Sequence, residues 1–186
     1  MAMTNDHSVS EFIETTDGCR IIRKAPTPSV TKDDILRFRK LCEDNLCGNY
    51  RTSWTCPPYC GMMDECMDKI NSYRCADILV RDFQGYDIEN EKEMEEMMDS
   101  FRSECRNIKC KLIEKGADVL ALADGPCRYC GENCSVKIDK ECPFPDKQLP
   151  SVSGYGVDME RYIRSLGESF GFSKDRITLY GIFLFK

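Results

Sequence analysis

Cysteines in this sequence fall into two groups whose spacing is typical of metal ligation. The first group has the pattern C-x4-C-x8-C-x3-C, and the second has the pattern C-x2-C-x3-C-x7-C. Thiolates bind zinc and iron–sulfur clusters, and short intervening loops bring several sulfurs together at low entropic cost. The candidate metal ligands are Cys42, Cys47, Cys56 and Cys60 in the first group and Cys127, Cys130, Cys134 and Cys142 in the second.

The spacing favours iron–sulfur clusters over zinc. Structural zinc sites commonly use two tight C-x2-C pairs, whereas the first group has no such pair and the second has one. Three closely spaced cysteines followed by a more distant fourth resemble a [4Fe–4S] loop, and a proline follows both Cys56 and Cys142. We expect two [4Fe–4S] clusters, with Zn²⁺ as the alternative. The fourth cysteine of one group could also ligate the cluster of the other.

The remaining residue counts limit the chemistry further. The chain has 13 cysteines, an odd number, so internal disulfides cannot pair all of them. The single histidine, His7, lies near the start of the chain, which leaves metal ligation mainly to sulfur. We find no serine-nucleophile motif and no paired-carboxylate signal, so no catalytic residue is assigned. Among the other cysteines, Cys66 and Cys105 fit the apolar faces of helices, while Cys19, Cys75 and Cys110 have no assigned role.

Composition disfavours several other classes of protein. A formal net charge of −6 disfavours general nucleic-acid binding, which needs a basic surface. The sequence has no run of 18 apolar residues, so no membrane span is predicted. The first residues also lack the pattern of a secretory signal. We therefore expect a cytoplasmic protein with reduced thiols. Residues 20–51 are locally basic, which predicts a solvated face or, alternatively, cations that offset the charge of a thiolate cluster.

Hydrophobic periodicity predicts the elements that must position these cysteines. We expect an α/β or α+β fold, with a small mixed sheet, packed helices and two cysteine-rich metal-binding loops at the sheet's edge or end. Residues 1–10 are predicted to be a disordered tail and residues 11–186 a single domain. The strand–helix–strand order over residues 76–123 predicts a parallel pair with a right-handed crossover. The predicted strands are 18–24, 76–83, 117–123 and 176–185, and the predicted helices are 31–42, 62–73, 91–115 and 156–168.

At these cysteines the chain resembles a family of cysteine-rich proteins of unknown function, predicted to bind metal and found mostly in anaerobic microbes. The resemblance implies metal binding, with iron–sulfur as the expected form, and no known reaction. One departure is Pro143-Phe144, which stands where the family usually has a basic residue after the last cysteine. The matching blocks are Cys42-x4-Cys47 with Trp54-Thr55-Cys56-Pro57-Pro58, and Gly125-Pro126-Cys127-x2-Cys130-x3-Cys134-x7-Cys142 with Gly156-Val157-Asp158.

Three functions fit these features. The first is an iron–sulfur protein that exchanges electrons with a redox protein partner in an anaerobic setting. The second is a zinc-stapled structural or interaction module. The third is a thiol oxidoreductase that uses Cys127 and Cys130, which form a C-x2-C pair after a predicted strand. The third function leaves Cys134 and Cys142 without a purpose, so we favour the first.

Overall fold

The described residues form a four-stranded sheet with helices on both faces. The structure is a computed structural model that describes residues 7–13, 18–171 and 176–186. This arrangement confirms the predicted class, a mixed α/β fold with a small sheet and packed helices. In chain order, its strands and α-helices are β1 (Cys19–Ala25), α1 (Lys32–Glu43), α2 (Met63–Asn71), β2 (Cys75–Gln84), α3 (Glu91–Glu114), β3 (Val119–Ala123), α4 (Met159–Ser165) and β4 (Arg176–Phe185).

The pairing of the strands differs from the predicted mixed sheet with a parallel pair. In the sheet the order is β1-β2-β4-β3, and every ladder between these strands is antiparallel in the described chain. β2 and β3 run in the same direction, as the crossover rule requires, but β4 lies between them. β4 pairs with β2 from Cys75 opposite Phe185 to Gln84 opposite Arg176, and it pairs with β3 along its other edge. The local strand–helix–strand pattern does not reveal that a later strand enters the gap.

Capping residues and apolar stripes explain where the helices form. Thr31 caps α1: its side chain accepts a hydrogen bond from the backbone N–H of Asp34, whose carboxylate accepts one from the backbone N–H of Thr31. Asn90 caps α3 in a similar way by accepting from the backbone N–H of Glu93. The predicted boundaries of both helices are confirmed to within one residue.

Two apolar cores lie on opposite faces of the sheet, because side chains alternate along each strand. Ile78 and Val80 of β2 face α1, α2 and α4, whereas Leu79 faces α3. α3 lies very close to β4, since a Cβ at Gly181 would be only 2.6 Å from the Cys105 sulfur. Cys66 and Cys105 are buried in these cores, as their positions on apolar helix faces predict.

The start of the described chain packs against the sheet. Val9 is fully buried, and the Ser8 hydroxyl and the Val9 N–H both donate to the buried carboxylate of Asp77. Ser8 and Val9, which fall in the predicted tail, therefore contact the sheet, while residues 1–6 lie outside the described residues. Within the described ranges, no helix combines the length and the apolar character that crossing a membrane needs.

An ion pair at the start of α1 provides a test of the fold. Arg161 donates two hydrogen bonds, of 3.0 and 2.9 Å, to the carboxylate of Asp34, and they lower the pKa of Asp34 from 3.8 to about 2. We expect Asp34→Asn to lower the free energy of unfolding by about 1 kcal/mol at neutral pH, because half-exposed Arg161 is partly screened by water. Urea denaturation measures this loss.

The pH dependence of that loss follows from the lowered pKa. Ionised Asp34 stabilises the fold fully above pH 3.8, and this contribution is lost as the pH falls through about 2. The difference in the free energy of unfolding between wild type and Asp34→Asn should become smaller as the pH falls over the same range. Asp33→Asn, which changes an exposed carboxylate in the same helical turn, is the matched control and should show a smaller difference. An equal effect of the two substitutions would contradict the role of the Arg161 pair.

Candidate metal centre

The first cysteine group lies in the irregular segment between α1 and α2. Cys42 lies in the last turn of α1, and Cys47 is exposed in the loop that follows. Cys56 and Cys60 are buried, each with 7% of its surface exposed. Cys42, Cys47 and Cys56 line a cavity of about 700 Å³. The structure therefore brings three thiols of this group to one cavity.

The second cysteine group lies in a long loop that begins directly after β3. The loop returns to its starting point, because Ala123 accepts from the N–H of Val152 and donates to the carbonyl of Pro150. Within the loop the backbone forms only short 3-10 turns. Its four half-buried cysteines line a second cavity, of about 480 Å³: Cys127, Cys130, Cys134 and Cys142.

Direct hydrogen bonds join the two cysteine loops. The hydroxyl of Thr55, next to Cys56, accepts from the backbone N–H of Cys127 at 3.0 Å. The Trp54 indole N–H lies 3.1 Å from the Ser135 hydroxyl and 3.2 Å from the Lys140 carbonyl, so it contacts the second loop on its far side. The two cavities share Pro126 and Arg128 in their walls. The two thiol sets are therefore immediate neighbours.

Buried cations of α3 hold both ends of the second loop. Arg102 donates to the carbonyl of Asp124 at the start of the loop, at 2.6 Å. Arg106 donates to the carbonyl of Lys147 at 3.0 Å, and Lys109 donates to the carbonyl of Gln148 at 2.7 Å. All three cations are at least 92% buried.

These three positions recur at helical spacing beside the apolar stripe of α3, and sequence reasoning missed their role. The signal available in the sequence was a row of basic residues on a helix whose neighbouring face is apolar. Arg102 also explains the glycine that opens the loop. A Cβ at Gly125 would collide with the Arg102 guanidinium, so the backbone can approach the cation only without a side chain there.

The basic segment 20–51 contributes one cation to the thiols of the described chain. Arg39 donates to the Cys66 sulfur at 3.3 Å, and its charge lowers the pKa of the neighbouring Cys60 thiol against the larger effect of burial. Several others form ion pairs away from the cysteines: Arg20 with Asp82 and Glu168, Lys32 with Asp64, and Arg37 with Asp158.

Burial and repulsion from neighbouring thiols raise the pKa of one cysteine in each set. Burial, followed by the charges of Cys47, Cys42 and Cys60, raises the pKa of the Cys56 thiol to about 12. Burial is also the main cause that raises the pKa of Cys130, with smaller contributions from the three other thiols of its set. The thiols of each set thus lie close enough to influence one another. A metal that binds them must displace their protons.

The thiols line these cavities without forming a complete coordination sphere. Across residues 7–13, 18–171 and 176–186, no three Cys, His, Asp or Glu side chains are arranged to hold a metal ion. All thirteen cysteines lie in these ranges and none of them forms a disulfide, so disulfides do not consume the donors. Sulfur donors beside buried cations fit a thiophilic, negatively charged centre. Ligation therefore requires the loop thiols to move towards each other.

Fold and site together define a mixed α/β protein with two neighbouring cysteine-lined cavities. The chain belongs to the DUF2284 family, whose members are described as predicted metal-binding proteins. The family model matches residues 32–185. The matched range includes all eight candidate cysteines, and the resemblance noted in the sequence is confirmed. No curated protein and no solved structure matches this chain.

The contact between the two loops gives one prediction. Thr55→Val keeps the shape of the side chain but leaves the Cys127 N–H without its acceptor, and Thr55 is 2% exposed. We expect this change to lower the free energy of unfolding by about 1–2 kcal/mol and to speed hydrogen exchange at the Cys127 amide. Thr55→Ser retains the hydroxyl and is the matched control. Equal exchange in the two variants would show that the hydroxyl does not join the loops.

The clamp at the end of the second loop gives another prediction. Lys109→Met removes the donor to the Gln148 carbonyl, and we expect local opening of the loop to become easier by about 1 kcal/mol. Limited proteolysis within residues 125–147 should then be about fivefold faster. Lys111→Met changes an exposed lysine of the same helix and should leave the cleavage rate unchanged. An unaltered cleavage rate in Lys109→Met would show that this hydrogen bond does not hold the end of the loop.

Proposed function

We propose that the protein holds two [4Fe–4S] clusters on its two cysteine sets and exchanges electrons with a redox protein partner. The first centre takes its ligands from Cys42, Cys47, Cys56 and Cys60, and the second from Cys127, Cys130, Cys134 and Cys142. The observation that carries the proposal is the pair of thiol-lined cavities with a common wall. A bound cluster supplies one-electron chemistry at a potential set by its surroundings.

The surroundings of the thiols support a negatively charged centre. Arg102 lies in the wall of the first cavity, and its charge lowers the pKa of Cys56 against burial. Arg106 has the same effect on the pKa of Cys130 in the second set. A cluster with four thiolate ligands carries net negative charge, and nearby buried cations stabilise it and raise its reduction potential. The chain thus offers each thiol set a guanidinium partner from α3.

The arrangement of the loops supports electron exchange between the centres. The hydrogen bond between Thr55 and Cys127 places the two thiol sets side by side. Cys47 is exposed, and the second thiol set is half-buried, so both centres lie near the protein surface. A partner can therefore approach either of them. We place the protein in the cytoplasm, where thiols stay reduced and available to metal.

Different observations separate the two other candidate functions from this one: the bound metal for the zinc module, and the number of thiols in the cavity for the thiol oxidoreductase. A zinc-stapled module would hold zinc without sulfide and lose its loop structure with a chelator. A thiol oxidoreductase would depend on Cys127 and Cys130 alone, yet these share their cavity with Cys134 and Cys142. Four thiols in one cavity fit a metal centre better than a two-thiol reaction.

Metal analysis of protein purified without oxygen and reconstituted with iron and sulfide tests the proposal. We expect about eight iron and eight sulfide per chain, and broad visible absorption that bleaches on reduction. Cys134→Ser should reduce both contents by about half, because it removes one ligand of one centre. Cys110→Ser, which changes a half-buried cysteine outside both sets, is the matched control and should keep them. Zinc without sulfide, or a colourless protein, would refute the iron–sulfur proposal.

A further inference from the structure

The mouth of the larger cavity carries apolar side chains that water reaches. Leu46 has 94% of its surface exposed and Ile88 has 52%, and both line this cavity. Met94 and Met98 of α3 are half-buried in the same wall. These four residues, which we call the apolar patch, gain from the hydrophobic effect only when a second molecule covers them.

The backbone holds Leu46 in its exposed position. The turn that carries it is closed by two hydrogen bonds of 3.0 Å, from the N–H of Asn45 to the Cys42 carbonyl and from the N–H of Gly48 to the Asn45 carbonyl. The Asn45 side chain also accepts from the N–H of Tyr50 at 2.9 Å. A turn fixed in this way loses little conformational entropy when a partner covers it.

Carboxylates flank the apolar patch. Glu91 and Glu95 line the same cavity, at the start of α3. Residues 86–96, which include Ile88 and Met94, contain six acidic residues and one lysine, and the side chains of all seven are exposed. The mouth of the cavity therefore combines an apolar centre with negative charge around it.

The two arginines in the cavity wall do not reverse this charge. Arg128 forms ion pairs with Glu95 and Asp99, and Arg102 pairs with Asp99 at 2.6 Å. The surrounding face keeps an excess of negative charge, which attracts a basic protein. A second copy of this chain fits poorly, because a symmetric contact would place the same carboxylates opposite each other.

We propose that the redox protein partner docks on this face, formed by the apolar patch and the carboxylates of residues 86–96, through basic side chains that surround an apolar centre. The inference rests on the proposed function, which supplies the redox partner. The carboxylates speed the encounter, and burial of the apolar patch stabilises the complex. Leu46 directly precedes Cys47, so a docked partner contacts the loop that carries thiols of the first set.

Binding of reduced cytochrome c, a small basic redox protein, tests the docking face. The whole chain, with its thiols reduced, is titrated with this probe and followed by NMR. We expect the amide signals of Leu46 and Ile88 to shift, while those of Asp68 and Glu114 stay in place. Affinity should fall about tenfold when the ionic strength rises from about 20 to about 200 mM, because salt screens the attraction between exposed charges.

Variants separate the contribution of charge from that of the apolar patch. Glu89→Gln combined with Glu91→Gln should weaken binding about fivefold at low ionic strength, since it removes two carboxylates from the face. Asp68→Asn combined with Glu114→Gln removes two exposed carboxylates elsewhere and is the matched control, with an expected change below about twofold. Leu46→Ser should weaken binding about tenfold at both ionic strengths.

Three outcomes would overturn the docking site. They are absence of binding at low ionic strength, equal weakening by the two double variants, and self-association of the chain that Leu46→Ser abolishes, which would assign the face to a second copy. Reduced cytochrome c accepts no electron, so the titration measures docking alone. Iron and sulfide analysis decides the proposed function separately, and a failure of one is therefore distinct from a failure of the other.

Discussion

Three buried cations on one face of α3 determine where the second thiol set lies. Arg102, Arg106 and Lys109 are withdrawn from water, which is costly unless each charge finds hydrogen-bond partners. Those partners are main-chain carbonyls at the two ends of the loop that carries the thiols. The loop carbonyls therefore supply the hydrogen-bond acceptors that the buried cations of α3 need, and the helix in turn positions both ends of the loop. The loop between these two ends needs no regular secondary structure, so its thiols can shift when a metal binds.

Elements governed by local patterns were predictable from sequence, and arrangements governed by distant partners were not. The long helix α3 follows from its apolar stripe and its charge distribution. The insertion of β4 between β2 and β3 depends on pairing across many intervening residues, which periodicity does not encode. The sequence places Val9 in a predicted tail, whereas the structure buries it against the sheet. Nothing in the sequence around Lys109 predicts that the second loop covers it.

The candidate site shows the same division between local and distant information. Spacing alone grouped Cys127 with Cys130, Cys134 and Cys142, and the structure places these four thiols around one cavity. Spacing grouped Cys60 with the first set, although its sulfur packs under a turn contributed by residues about ninety positions later. The link between Thr55 and Cys127 was equally hidden, since neither residue type identifies its partner. Local spacing therefore identifies candidate donors, and the tertiary fold decides which way their side chains face.

The central position of β4 imposes an order of events on a newly made chain. Both strands that β4 joins, β2 and β3, precede it in sequence, as do all eight candidate cysteines. The sheet stays in two halves until β4 has been synthesised, and pairings at such long sequence separation form slowly. Throughout that interval the thiols belong to an incomplete scaffold exposed to oxidants and stray metal ions. Thiols that stay reduced over this interval remain available to a metal once β4 has joined β2 and β3.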